Sequence, residues 1–123
     1  MGSEEVVAVL IPESYREIEK ARGRSLIEMH SNGVAFTRPD VLEALGCLKG
    51  TQAGVLGGDV LKLVDGKFRY TTDSWHADRK PQEDIRKYLA RSIAEAEGYI
   101  QKYPDPEDGS TFYSPVISEL GLP

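Results

Sequence analysis

Residues 60–72 read Val-Leu-Lys-Leu-Val-Asp-Gly-Lys-Phe-Arg-Tyr-Thr-Thr and carry the strongest local structural signal of the chain. An Asp-Gly pair stands between two segments in which apolar and polar side chains alternate, which is the pattern of two antiparallel strands joined by a tight turn. We therefore predict a β-hairpin over residues 60–72. A two-residue turn sets its register, with Val64 opposite Lys67, Leu63 opposite Phe68, Lys62 opposite Arg69 and Leu61 opposite Tyr70.

The longest helical pattern covers residues 81–103, where apolar side chains recur at spacings of three and four. This period is typical of a helix that buries one face. Glu83 and Asp84 suit its positive N-terminal end, and Pro104 ends it. Gly98 disfavours a helix by about 1 kcal/mol relative to alanine, so we expect it to admit the close approach of another backbone.

Two shorter helices are predicted in the first half of the chain. Residues 13–22 follow Pro12, and Ser14 and Glu17 have the spacing of a capping box. A second helix, over residues 38–49, is indicated by a hydroxyl residue before it, a proline in its first turn and apolar residues at helical spacing.

Two apolar segments add strands near the ends of the chain. Residues 5–11 favour a strand because of their β-branched side chains. Residues 111–117 are predicted to form the last strand, and Pro115, which has no amide N–H, indicates that this strand lies at a sheet edge. We predict one α+β domain over residues 1–123, with a small mixed or antiparallel sheet packed by helices.

The composition excludes several classes of protein. The chain has 123 residues, enough for one domain, and no stretch of about 20 apolar residues that a membrane span requires. Its N-terminus lacks the basic and apolar segments of a secretion signal, so we expect a cytoplasmic protein. The single cysteine, Cys47, permits no internal disulfide and no zinc site built on cysteine pairs, and we predict neither a cofactor nor a metal ion.

The charge of the chain is negative and unevenly distributed. The net charge of −5 disfavours binding to nucleic acid through its phosphates. Residues 92–123 carry six acids and one base, and these charges either keep the surface soluble or form a surface for a basic partner. Within this segment, the loop over residues 105–110 is predicted to be exposed.

Two segments contain the candidates for a functional site. In Gly57-Gly58-Asp59 the glycines allow close backbone approach, and we interpret the segment as a structural motif, a bulge whose aspartate holds its own loop. Residues 72–78 read Thr-Asp-Ser-Trp-His-Ala-Asp. Because tryptophan combines a large apolar area with one polar donor, this segment is typical of a recognition loop. The predicted partner-binding residues are Asp59, Asp73, Trp75, His76 and Asp78.

Other roles for these residues stay open on the sequence alone. Asp59, Asp73 and His76 could hold a metal ion or act in acid–base catalysis, since carboxylates and imidazole serve as ligands and as proton carriers. Trp75 could instead have a structural role, folded over the end of the hairpin. No phosphate-binding loop is present in the sequence, and no residue is predicted to be catalytic.

The segments Leu56-Gly57-Gly58-Asp59-Val60 and Thr72-Asp73-Ser74-Trp75, with the hairpin between them, resemble the immunity proteins of bacterial polymorphic toxin systems. The specific family is the small α+β family called Immunity protein 40. Similar segments in the same order begin at Asn32-Gly33-Val34-Ala35-Phe36, so the resemblance covers residues 30–117. Two positions depart from the family pattern, namely His76, where an aromatic residue is expected, and Pro115 in the last strand.

The resemblance implies a non-enzymatic protein that binds a sister toxin domain in the cytoplasm of the producing cell and blocks it. A small enzyme or metal-binding protein that uses Asp59, Asp73 and His76 is one alternative. A general intracellular interaction module is the other.

Overall fold

The computed structural model describes residues 11–118, which form an α+β fold with antiparallel sheets. The helices are α1 (Glu13–Arg22), α2 (Arg38–Gly46) and α3 (Ile85–Lys102), with a 3₁₀ helix at Ile27–Met29. The strands are β1 (Arg24–Ser25), β2 (Val34–Ala35), β3 (Gly54–Val64), β4 (Lys67–His76) and β5 (Thr111–Ser118). The predicted α+β class is confirmed. Of the strand predicted over residues 5–11, all but the last residue lies outside the described residues.

The larger sheet has β3 at its centre, with β4 on one side and β5 on the other, while β1 and β2 pair separately. All four residue pairs predicted for the hairpin are present. The predicted edge position of the last strand is also confirmed. Phe36 and Tyr113 exchange two backbone hydrogen bonds of 2.9 and 2.8 Å across the outer side of β5. Pro115 lies two residues further along β5, so its backbone nitrogen also faces outward. The hydrogen bonds between β5 and β3 therefore do not require an N–H at this position.

The hairpin register changes beyond Leu61 because β4 contains a bulge. Three residues, 71–73, lie opposite the single residue Val60. The Thr71 hydroxyl closes this bulge, since it donates to the Val60 carbonyl at 2.8 Å and accepts from the Asp73 amide at 3.0 Å. Continued unchanged, the hairpin register would place Asp73 opposite Gly58, but the two additional residues place Trp75 there instead.

Helices α2 and α3 pack on one face of the larger sheet, α1 packs on α2, and the main core lies between these helices and the sheet. Its fully buried side chains include Tyr15 of α1, Leu45 of α2, Ile100 of α3 and Val60 of β3. A smaller cluster lies on the opposite face, under β1, β2 and the 3₁₀ helix. It consists of Leu26, Ala35, Leu61 and Phe112, with Met29, Leu63 and Phe68 packed against them. Within residues 11–118, no helix has the length and apolar character needed to cross a membrane.

Helix α3 is shorter than predicted, because it begins at Ile85 instead of residue 81. The Asp84 side chain accepts hydrogen bonds from the amides of Arg86 and Lys87, so it caps the helix and fixes its first turn. The expectation for Gly98 was wrong, since a β-carbon at this position would meet no atom within 4 Å outside the local helix backbone.

The ends of the other two helices also differ from the predictions. Helix α1 has the predicted bounds, but its N-cap is Pro12 and not the predicted Ser14-Glu17 capping box. Helix α2 ends at Gly46, three residues before the predicted end, and residues 47–50 continue as turns.

Ser92 joins α3 to the central strand. Its buried hydroxyl accepts from the Val55 amide at 3.0 Å and donates to the Leu89 carbonyl at 2.8 Å. We predict that Ser92→Ala lowers the free energy of unfolding by about 1–3 kcal/mol, because it leaves the buried Val55 amide without a partner. Urea denaturation would measure the change, with Gln101→Ala, an exposed position of the same helix, as the control. A Ser92→Ala variant as stable as this control would contradict the assigned role.

Candidate functional site

The glycine pair of β3 and the tryptophan of β4 form one packing unit. Gly58 lies opposite Trp75, and a β-carbon at Gly58 would come within 2.3 Å of the Trp75 Cη2 atom. A β-carbon at Gly57 would lie 2.3 Å from the Trp75 carbonyl oxygen. Both positions therefore require glycine because Trp75 occupies the space that a side chain would need.

The bulge predicted at the glycine pair lies one residue earlier. Leu56 is the additional residue of β3 relative to β5, between the pairs formed by Val55 and Gly57. Asp59 occupies a regular position of the sheet, opposite Ser74 in β4 and Ser114 in β5. The aspartate therefore does not tie down a loop of its own, as predicted, but projects from the middle strand.

Trp75 is buried against helix α3, with 6% of its surface exposed. Its ring stacks on Tyr99 at a centroid distance of 5.1 Å, and Tyr99 in turn contacts Tyr103 at 6.0 Å. Tyr103 donates a hydrogen bond to the Asp73 carboxylate at 2.6 Å. Burial and this hydrogen bond raise the pKa of Tyr103 to about 12, so the hydroxyl keeps its proton at neutral pH. Asp73 therefore faces α3.

The opposite face of the sheet carries a different set of side chains. Val60, Trp75 and Tyr113 belong to the main core under the helices. Because side chains alternate along each strand, the residues next to them point to the other face. We call this surface the open face and define it by Asp59, Ser74, His76, Ser114 and Val116.

The covering segment of residues 24–36 shields only one end of this sheet face. On this face the smaller cluster ends at Leu61 and Phe112. Gly33 lies next to Ser114, since a β-carbon at Gly33 would be 3.0 Å from the Ser114 hydroxyl oxygen. Ser74 and His76 lie beyond it and are exposed, and Asp59 is half-buried. The apolar side chain of Val116 is also exposed on this face, at 49%, and the bulge residue Leu56 of β3 is 39% exposed at the same end of the sheet.

The loop after β4 is held in place by Arg91 of α3. This guanidinium donates to the Asp78 carbonyl at 2.7 Å and to the Glu83 carboxylate at 2.8 Å. The hydrogen bonds from Arg91 lower the pKa of Glu83 to about 2. Tyr88 adds a hydrogen bond of 2.7 Å to the Ala77 carbonyl. The backbone around Asp78 is thus fixed, whereas the Asp78 side chain is exposed.

The acidic segment near the C-terminus is balanced locally and does not form a continuous acidic surface. Four of its five described acids form ion pairs, which are Glu95 with Arg91, Glu97 with Lys49, and both Asp105 and Glu107 with Arg38. The predicted exposure of the whole loop over residues 105–110 was wrong for Asp105. Its side chain is only 5% exposed and accepts from the Tyr113 hydroxyl at 2.8 Å.

The structure separates the predicted site residues into three groups. Asp59 and His76 share the open face, Asp73 and Trp75 face helix α3, and Asp78 lies in the following loop. Among residues 11–118, no three His, Cys, Asp or Glu side chains are placed to hold a metal ion together. Asp59, Asp73 and His76, the residues of the enzyme or metal alternative, are therefore not gathered into one site. Sequence reasoning missed Ser74, Ser114 and Val116, whose shared face depends on strand pairing.

A comparison with known protein families covers most of the described structure. The family model for Immunity protein 40 matches residues 25–117, which is most of the chain. No curated protein and no solved structure gives a significant match. The match covers α2, α3 and both sheets except for Arg24 of β1 and Ser118 of β5. It thus marks the fold as that of an immunity protein, a class defined by bacterial toxin systems. The chain belongs to the Immunity protein 40 family.

The contact between Gly58 and Trp75 leads to a stability prediction. We expect Gly58→Ala to lower the free energy of unfolding by about 1–3 kcal/mol, because the added methyl group overpacks the Trp75 ring. Gly98→Ala is the matched control, since its methyl group meets open space in a helix and should stabilise the protein by up to about 1 kcal/mol. Thermal unfolding of both variants tests the pair. Equal effects of the two substitutions would refute the packing argument.

Proposed function

We propose that this chain binds a cognate bacterial toxin domain and blocks it without catalysis, in the cytoplasm of the cell that produces both. The observation that carries the proposal is the family match over residues 25–117. A binding role is also supported by the site geometry, because the sheet presents a partly uncovered face with the exposed apolar side chain of Val116, and Leu56 is exposed at the same end of the sheet. Partners other than the toxin, such as nucleic acid or a membrane surface, are not part of the proposal.

We propose different roles for the five residues that are predicted to bind a partner. Asp59, His76 and Asp78 have side-chain surface available to a partner. Trp75 is buried against α3, and the exposed Asp73 accepts a hydrogen bond from Tyr103 at the end of α3, so both would act by holding β4 in position. A tryptophan buried to this extent supports a binding site through rigidity, which lowers the cost of ordering the surface on association.

A titration of toxin activity distinguishes binding from catalysis. We expect the activity of the toxin domain encoded by the neighbouring gene to fall linearly as this chain is added, and to reach its minimum at one equivalent. A binding inhibitor acts in amounts comparable to those of the toxin, whereas an enzyme that modified the toxin would act far below one equivalent. The measurement uses the toxin's own activity assay, with co-purification of the two proteins as a second readout.

The control for this experiment is a toxin domain from an unrelated gene pair, which should be unaffected. Complete inhibition at a small fraction of one equivalent would favour the enzyme alternative. Failure of the chain to bind or inhibit the neighbouring toxin would contradict the proposed function and favour a general interaction module.

A further inference from the structure

We infer that the open face is the surface that receives the toxin, and that Asp59 accepts a single basic side chain from it. This inference rests on the proposed function and adds the place and the chemistry of contact. The toxin segment that fits is one that projects an arginine or lysine from an apolar surround.

The first argument is the charge of Asp59. Within residues 11–118, no basic side chain forms an ion pair with it. Asp59 differs in this from Glu95, Glu97, Asp105 and Glu107 near the C-terminus, and from Asp40 and Glu43, which form ion pairs with Arg22 at 3.0 and 2.8 Å. Asp59 is half-buried in the middle of the sheet, where a carboxylate gains most from a positive partner that completes its hydrogen bonds.

The second argument is an independent polar group beside it. Ser114 lies directly opposite Asp59 in β5 and is only 7% exposed. None of the hydrogen bonds found among residues 11–118 involves its hydroxyl. The hydroxyl is therefore available at the surface next to the unpaired Asp59 carboxylate, and a partner group with several donors can contact both oxygens. A guanidinium has donors in a fixed planar fork and can bond both groups at once.

The third argument is the apolar border of the same surface. Val116 follows Ser114 by two residues on the same face and is 49% exposed, and Leu56, the unpaired bulge residue of β3 at this end of the sheet, is 39% exposed. Exposed apolar side chains around a charged centre exclude water from that centre when a partner covers them, and this strengthens the charge pair. Nucleic acid does not fit, because its phosphates would meet the Asp59 carboxylate.

The test compares two substitutions that remove the same charge. Asp59→Asn on the open face should weaken binding to the neighbouring toxin domain at least tenfold, measured by calorimetry. Asp65→Asn at the hairpin turn, where the backbone is left-handed (φ 52°) and asparagine is well tolerated, should bind like the wild type. Ser114→Ala should weaken binding about threefold or more. Thermal unfolding establishes that each variant is folded.

The outcomes separate this inference from the proposed function. If the wild type binds the toxin and Asp59→Asn binds equally well, the open face is not the docking surface, while the proposed function stands. If Asp59→Asn keeps its toxin affinity but changes the sedimentation of the chain alone, the face belongs to a second copy of the protein. If the wild type does not bind the toxin at all, the proposed function fails and this inference with it.

Discussion

The position of the Trp75 ring over Gly58 is the contact on which the rest of the structure depends. It brings β4 against β3 at the point where α3 packs on the sheet, and its stacking on Tyr99 joins the two layers. The ring can take this position only because the Thr71 bulge moves Trp75 by two residues relative to the hairpin register. A shift of two residues preserves which face each side chain occupies, so Ser74 and His76 stay on the opposite side. One local irregularity in β4 therefore arranges both the core and the open face.

Features of the fold that depend on neighbours in sequence could be predicted well. The hairpin register follows from the Asp-Gly turn and the alternation around it, and the period of α3 follows from the spacing of its apolar residues. Features that depend on a particular side chain were missed. Asp84 caps α3 and thereby sets its first residue, and the Thr71 hydroxyl replaces a backbone partner in the bulge. Hydrogen bonds of this kind compete with regular pairing, and periodicity alone does not reveal them.

In the candidate site, too, features that depend on sequence neighbours could be predicted, and features that depend on distant residues could not. Residues 57–59 and 72–78 were identified from glycine and tryptophan chemistry, and they do lie together in space. Their division between two faces could not be predicted, because it requires the pairing of β3 with β5, which are separated by about 50 residues. Ser114 carries no local signal, and it acquires its position only through that distant strand. Asp105 was similarly judged exposed, since its burial depends on Arg38 and Tyr113 in other elements.

The two outer strands of the larger sheet have a consequence for how the protein behaves when many copies are present. A straight, fully hydrogen-bonding edge is a template on which further chains can add as strands and grow into fibres. Here the backbone nitrogen of Pro115 faces outward from β5 without an N–H, and Tyr113 of the same strand is hydrogen-bonded to Phe36. The regular pairing of β4 is interrupted by its bulge. Neither border offers a long uninterrupted row of free donors and acceptors. Such a chain can accumulate in excess over its target without polymerising through its sheet, and the excess then stays available for the partner.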